Sequence, residues 1–399
     1  MKNITIFIQS MALVAALASC ASESPSKGNL LLAAPAEKGT RSLDESEKGA
    51  VEAFLNDAID RVAGQEEGNH VFSPLSYYLA LASTTALAKE DVQACTALGA
   101  KTKGQLTELV SALVADVEVV PEQYQEGWTP VSKIGNLVLD HTIHFSEQEQ
   151  VLLTDKLHAS YGSNPALDEE SIARWVEHLS MGALAVPDSL KGLDATMDYF
   201  INGVYLDMPF AEPFYPEGDQ FGAFNGGGRH RYYQRDLTPS YCYIGDDYVA
   251  LELRFATEGF GLRFVMPKEN SVREFLKRHP FSSCFDRAKD HLLVGKGTVA
   301  IPEFNLASNM ELSAIAHAQN LPDSYLFESS SVRHDLLSLT QDNAFFLQRE
   351  GVRAYSFTKE VVLEQSAPSY ELSIDRSFAF EVVSPSKLPL FHGVVETLE

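Results

Sequence analysis

Two strand-like runs near the C-terminus, Ala344-Phe345-Phe346-Leu347 and Phe378-Ala379-Phe380-Glu381-Val382, bracket a stretch that suits neither a helix nor a packed strand. Residues 352–376 carry no helical period and no core pattern. A loop of that length without structure of its own is uncommon in a compact domain, and is usually functional or disordered. Its first half has a second property. From Val352, alternate residues are Val352, Ala354, Ser356 and Thr358, all small or β-branched. Between them stand Arg353, Tyr355, Phe357 and Lys359, all long or bulky. Strand side chains alternate faces with period two, so one face is sized to lie over a packed interior and the other to meet a surface. Gly351, which follows Arg349-Glu350, has no Cβ and suits a backbone hinge. A loop able to join a sheet marks an insertion switch.

The chain begins with Lys2, a short apolar run and Leu17-Ala18-Ser19-Cys20. A run this short, ending in small residues, reads as a signal peptide over residues 1–19 rather than a membrane span. Leu-Ala-Ser-Cys resembles a bacterial lipobox, which implies that Cys20 is lipidated and anchored to one leaflet. The other reading is a plain secretory signal. Residues 20–44 read as the lipidated cysteine and a flexible linker, containing the apolar island Leu30-Leu31-Leu32. That island is either a docking contact or nothing. The linker places residues 45–399 at a bacterial cell envelope, on either side of an outer membrane, or free if the lipobox reading fails.

A chain with 45% hydrophobic and 22% charged residues has ample material for a core. A net charge of -24 argues against nucleic acid and acidic lipid as partners. Cys95, Cys242 and Cys284 are too widely spaced for a disulfide framework or a zinc site, and read as core residues. Gly226-Gly227-Gly228-Arg229-His230-Arg231 lacks the Lys-Ser/Thr of a phosphate loop and reads as a loop and an exposed strand. There is no Gly-x-Ser-x-Gly elbow and no His-Glu-x-x-His, so no enzyme, cofactor or metal is expected.

Val51, Phe54, Leu55, Ala58, Ile59 and Val62 recur at helical spacing, with Ser42-x-x-Glu45 as the expected capping box. In Val71-Phe72-Ser73-Pro74-Leu75-Ser76, Ser73 suits an N-cap and Pro74 the first turn of a helix reaching Ala88. Strands are expected at 134–139, 200–205, 249–255, 261–267 and 299–304, and helices at 171–177, 272–276 and 310–320.

These segments, in this order, resemble the serpins over nearly all of the chain after about residue 45. Val71 to Ser76, Phe200 to Tyr205, Pro209 to Phe214, Glu350-Gly351 and Leu388 to Val395 carry the likeness. The resemblance implies an α+β fold, with a large, mostly antiparallel central sheet, two further sheets, about eight to nine helices and an exposed reactive-centre loop. It implies a monomer whose partner is a target endopeptidase. The hinge would be Glu350, Gly351, Val352, Ala354, Ser356 and Thr358. The gate through which the sheet opens would involve Ser73, Ser76, Asn202, Gln341 and Phe210. Two of these depart from the family: Phe210 stands where a tryptophan is usual, and Gln341 where a histidine is common. The hinge departs too, since serpin inhibitors usually follow the glycine with Thr or Ser and then small residues. Counting from Gly351 with family spacing places the cut at Gln365–Ser366, and counting back from Phe378 places it at Ser366–Ala367. A cut after Glu364 suits a Glu-directed protease, or a papain-like one with Leu363 as the apolar neighbour. Continuing the alternation turns Glu360 inward, where an unpaired carboxylate costs several kcal/mol.

Overall fold

The computed structural model describes residues 30–33, 42–89, 91–120, 130–163, 169–194, 197–268, 271–286, 292–352 and 369–398. Half of the hinge (Ala354, Ser356 and Thr358) and every candidate for the cut, Glu364 to Ala367, lie outside these residues, as does Cys20.

The apolar runs assemble into three sheets. The largest is, in spatial order, Leu30–Leu31 (β1), Ala159–Gly162 (β4), Val131–Leu139 (β3), Tyr199–Pro209 (β5), Gly351–Val352 (β16), Thr340–Gln348 (β15) and Asn305–Glu311 (β12). Only β3 and β4 run parallel; the other neighbours are antiparallel. A second sheet has the order His70–Phe72 (β2), Pro389–Val395 (β19), Phe378–Val383 (β18), Gly261–Pro267 (β10), Tyr248–Arg254 (β9) and Tyr241–Ile244 (β8). Every residue of β18 and β19 is buried, which explains their largely apolar sequence; the buried exceptions, Glu381 and His392, face each other at 3.0 Å. The third sheet is Glu371–Ser373 (β17), Gly297–Pro302 (β11), Gly227–Leu237 (β7) and Gln220–Phe224 (β6). Ser324–Leu326 (β13) and Arg333–Asp335 (β14) form a ribbon. The expected large, mostly antiparallel sheet with two companions is therefore present.

Among the described residues there are eight α-helices: Glu45–Gln65 (α1), Pro74–Leu87 (α2), Val92–Ala97 (α3), Lys103–Val117 (α4), Glu147–Asp155 (α5), Glu169–Ser180 (α6), Val272–Leu276 (α7) and Ser313–Ala318 (α8). All of α2 except Ala80 is buried, because it runs between β5 of the first sheet and β19 of the second. On the other face of the large sheet, α6 lays Ile172, Trp175, Val176 and Leu179 over β3 and β5. Gly203 permits this approach: a Cβ there would stand 2.4 Å from Leu179 and 3.1 Å from Trp175.

Several local expectations shift. The capping box of α1 is Asp44 with Glu47, not Ser42 with Glu45. Its carboxylate reaches the third amide of the helix, which begins at Glu45. Ser73 occupies the N-cap of α2 but does not cap it; its Oγ donates instead to the Leu390 carbonyl at 2.7 Å. The helix expected at 310–320 is shorter, because Met310 and Glu311 belong to β12 and pair with Gln341 and Thr340. Residues 30–33, inside the expected linker, belong to the folded body, since Leu30 and Leu31 pair with Gly162 and Tyr161. Cys95, Cys242 and Cys284 are buried in the core. No helix among the described residues is long and apolar enough to cross a membrane.

The far end of α1 is closed by an arginine from another element. Arg273 of α7 donates to the carbonyls of Ala63 at 3.0 Å, Glu66 at 2.6 Å and Gly68 at 2.5 Å, and its Nε to Glu396 at 2.9 Å. Carbonyls at a helix terminus lack internal partners, so the guanidinium completes the helix. Beneath it His70 is 2% exposed, with Nδ1 3.3 Å from Arg273 Nη2. Burial, then the neighbouring His392 and Arg273, depress its pKa from 6.5 to about 4. An imidazole held neutral in the fold takes up a proton only on unfolding. This contribution is therefore whole above about pH 6.5 and is lost as pH falls toward about 4. Its full size is on the order of 3 kcal/mol. Urea midpoints measured at pH 7.5 and pH 5 should show this loss, and His70→Gln should reduce the difference between the two.

Candidate functional site

The upstream stem of the long loop does not stop at the sheet's surface. After β15 the chain turns at Arg349 and Glu350, and Gly351–Val352 enters the large sheet as β16. Gly351 pairs with Pro209 of β5 and Gln348 of β15; Val352 pairs with Met208 and Leu347. Val352 is 4% exposed and joins the main core. Among the described residues, the strands on either side, β5 and β15, pair with this dipeptide and not with each other. The dipeptide therefore heads a slot in the sheet. Gly351 is required there for a reason its hinge role did not suggest. A Cβ would stand 2.1 Å from the Met208 carbonyl oxygen and 2.7 Å from Pro209 Cα.

Backbone bonds hold the stem in place. The amide of Phe210 donates to the Glu350 carbonyl at 2.8 Å, and that of Phe214 to the Arg349 carbonyl at 2.7 Å. Phe210 is buried, stacked on Phe255 at 5.4 Å between ring centroids and edge-on to Phe214 at 5.8 Å. It packs beside the point where the dipeptide enters. The bond to the stem comes from its backbone, so an indole N–H is not needed for that contact.

Ionic contacts tie the same stem to the third sheet. Arg349 donates to both oxygens of Asp219, at 2.9 and 2.5 Å, and lies 5.1 Å from the Tyr233 ring. Asp219 also lies 3.8 Å from Arg231, which in turn meets Glu303 at 3.3 Å. The Asp219 bond, the largest cause, pushes the Arg349 pKa up. A bidentate arginine–carboxylate pair is among the stronger side-chain contacts. Asp219, Arg231 and Glu303 were not singled out from sequence, because nothing local marks a partner 130 positions away.

Farther along the slot, the expected gate residues fall into two groups. On the β15 bank, Gln341 Nε2 donates to the Ser73 carbonyl and Gln341 Oε1 accepts from the Ser73 amide, each at 2.9 Å. The glutamine thus ties β15 to the start of α2 with both ends of its amide. Those bonds run through Ser73, not through Ser76, which is buried on the next part of α2. On the β5 bank, Asn202 Nδ2 donates to Asn136 Oδ1 at 2.8 Å. Asn136 Nδ2 then donates to Leu157 O at 3.0 Å and Ser83 Oγ at 3.2 Å. Asn202 therefore does not join Ser73 or Gln341, since β5 and β15 stand apart. One acceptor, Asn202 Oδ1, and one donor, Asn343 Nδ2 of β15, are buried with no hydrogen-bond partner. Native proteins leave few such atoms.

Among the described residues, no group of three or more His, Cys, Asp or Glu side chains is placed to hold a metal ion. The Gly226 to Arg231 stretch forms a turn and the start of β7, as read from sequence. There Arg229 lies 4.7 Å from the exposed Phe221 ring.

A family model described as "Serpin (serine protease inhibitor)" matches residues 50–397, and the chain belongs to that family. Solved structures agree on the fold. A thermophilic serpin, tengpin, in its native state is 18% identical with a TM-score of 0.72, covering 92% of this chain and 98% of that one. Serpin48 of the insect Tenebrio molitor is 20% identical with a TM-score of 0.66, covering 90% and 100%. Human thyroxine-binding globulin, complexed with its hormone, is 16% identical with a TM-score of 0.67, covering 88% and 97%. A comparison with curated protein sequences finds no match.

Gly351→Ala should drive the dipeptide out of the sheet, because the new methyl group meets the backbone of Met208 and Pro209 in β5. Hydrogen exchange at Val352 and Leu347 should quicken, and the loss of stability should be about 1–3 kcal/mol, the range of strained backbone substitutions. Unchanged exchange at both amides would place the dipeptide elsewhere.

Proposed function

We propose that this protein inhibits serine endopeptidases, and cysteine endopeptidases as a second class, by offering the loop after Val352 as bait. The observation that carries the reading is the slot: a strand has been started between β5 and β15, and these two strands do not pair across it. A protease attacks the bait and forms an acyl-enzyme. Cleavage frees the arm that begins at Gly351, and the arm fills the slot. A dozen or so new ladder bonds at roughly 0.5–1.5 kcal/mol each give on the order of 10 kcal/mol. The tethered protease is carried off, its oxyanion hole is distorted, and deacylation stalls. The form before cleavage is held by a barrier, not by being lowest in free energy.

The register of Gly351–Val352, continued by alternate residues, supports this reading. Ala354 falls opposite Leu206 and Phe345, Ser356 opposite Val204 and Asn343, and Thr358 opposite Asn202 and Gln341. Two hydroxyls thus arrive beside Asn343 and Asn202, the two amides with unpartnered atoms on the slot's banks. The same count puts Glu360 opposite Phe200, an apolar neighbour for a carboxylate. That favours a second reading, a serpin-fold protein that binds a ligand or is merely cleaved, because insertion slowed at Glu360 lets the protease escape. The solved complex of thyroxine-binding globulin is an instance of a serpin fold with a small-molecule ligand.

The proposed cut is Gln365–Ser366, with Ser366–Ala367 and the bond after Glu364 as its alternatives. The protein acts as a monomer on a bacterial envelope, lipidated at Cys20, or is secreted if Cys20 is not modified.

Incubation with a panel of elastase-like, Glu-directed and papain-like proteases should give a covalent complex that survives SDS. Clipped chain alone across the panel decides for the second reading. Thr358→Arg, which puts a long cation on the inward face, should convert inhibition into plain cleavage. Loop cleavage should also raise the melting temperature sharply, and an unmoved value would mean that nothing was inserted.

A further inference from the structure

We infer that Ser330, His334 and Asp198 form a nucleophilic relay, outside the loop and the slot, through which Ser330 takes the acyl group of small activated esters with a short apolar acyl chain. This activity is separate from inhibition and does not rest on insertion. Ser330 lies between β13 and β14, and His334 is the middle residue of β14. The Ser330 hydroxyl stands 2.9 Å from His334 Nε2. On the other side of the ring, His334 Nδ1 stands 3.6 Å from Asp198 Oδ2. That second contact is long for a hydrogen bond, as catalytic contacts often are before a substrate tightens them. Asp198 comes just before β5, at the end away from Gly351–Val352, which pair with the last residues of that strand. No short motif marks the three residues, because the carboxylate is contributed by a separate element.

The order of the contacts gives the hydroxyl a base. A hydrogen on Nδ1, facing the carboxylate, leaves Nε2 with a lone pair toward the Ser330 O–H. Burial raises the Asp198 pKa, but the Thr142 hydroxyl and the amides of Thr142 and His141 outweigh it and hold the carboxylate below its usual range. Phe327, 1% exposed, meets the imidazole edge-on at 5.6 Å and fixes the ring from the side. The serine is placed by its own amide, which donates to the Phe327 carbonyl at 3.1 Å, and by the Val332 amide, which donates to Oγ at 3.3 Å. Its hydroxyl has a second acceptor in the Val332 carbonyl at 3.1 Å, and the form directed at His334 is the reactive one. Val332, 62% exposed, adds apolar surface beside that oxygen, which suits a short acyl chain. An ester with a good leaving group needs the least stabilisation at its carbonyl oxygen, hence the substrate class. In the step itself, Ser330 Oγ bonds to the ester carbonyl carbon while its proton passes to His334 Nε2. The bond from that carbon to the leaving oxygen breaks, and the proton goes on to the departing oxygen. Water then attacks the acyl-serine and gives a proton to the same nitrogen. The acid leaves, and the proton returns to Ser330.

The test uses the full chain and p-nitrophenyl butyrate, with the butyryl group located by peptide mass spectrometry. Ser331, exposed and one position on, is the internal control. Ser330 should be acylated well ahead of it in the parent protein. His334→Gln should slow labelling of Ser330 by about a hundredfold, the lower end of what a positioned general base supplies. Asp198→Asn keeps an acceptor for the His141 and Thr142 amides. It should lower the maximal rate and leave the half-saturating ester concentration unchanged, since Asp198 acts through the ring and not on the ester. Equal labelling of Ser330 and Ser331 in the parent overturns the relay without recourse to any variant. So does labelling of Ser330 at the parental rate in His334→Gln, which would leave the three side chains as a brace for the ribbon. An unchanged maximal rate in Asp198→Asn overturns the carboxylate's part.

Discussion

The dipeptide Gly351–Val352, wedged between β5 and β15, is the contact on which the proposed mechanism depends. It keeps two strands of the large sheet a strand's width apart at one end and denies them each other as partners. Restraints around the dipeptide account for how it persists. Phe210 and Phe214 hold the carbonyls just upstream, Arg349 is fastened to Asp219 just before β6 of the third sheet, and Val352 is sunk in the core. The sheet is primed at its upper end and fixed there by contacts with two neighbouring layers.

Lower down, the gate is better described as two locked banks than as one lock across the slot. Gln341 fastens β15 to the start of α2, and Asn202 fastens β5 to β3 through Asn136. Neither bond crosses the gap. Widening the slot therefore costs packing against α2 and α6 more than it costs these hydrogen bonds. The substitutions relative to the family fit that arrangement. Gln341 serves both the amide and the carbonyl of Ser73, which an imidazole in one tautomer also does with its two nitrogens. Phe210 keeps the aromatic packing at the mouth of the slot and leaves hydrogen bonding to the backbone.

The outer edge of the large sheet is finished by a segment that precedes the first helix, pairs with β4 and packs on the α6 side. The far side of the molecule has its own constraint in the buried cluster of Arg273, His70, His392 and Glu381, where His392 Nδ1 lies 3.0 Å from the Glu381 carboxylate. That cluster joins α1, α7 and the second sheet.

By itself, the amino-acid sequence determined the family, and through that resemblance the large sheet with its two companions. The family is written in short motifs such as Val71 to Ser76, and the helices and strands in periodicity and local turn chemistry, all legible within a few residues. Caps were less legible: Asp44 and Ser42 are equally good N-cap residue types, and only the start of α1 chose between them. The tertiary structure decided the rest. It showed that Gly351 is required by its nearness to Met208 and Pro209, that Arg349 answers Asp219, and that Asn202 bonds Asn136 and not the β15 bank. It also turned Leu30 from a stray apolar residue into part of the sheet. Each of these is a contact between segments far apart in the chain, and a linear pattern carries no record of which distant partner will close it.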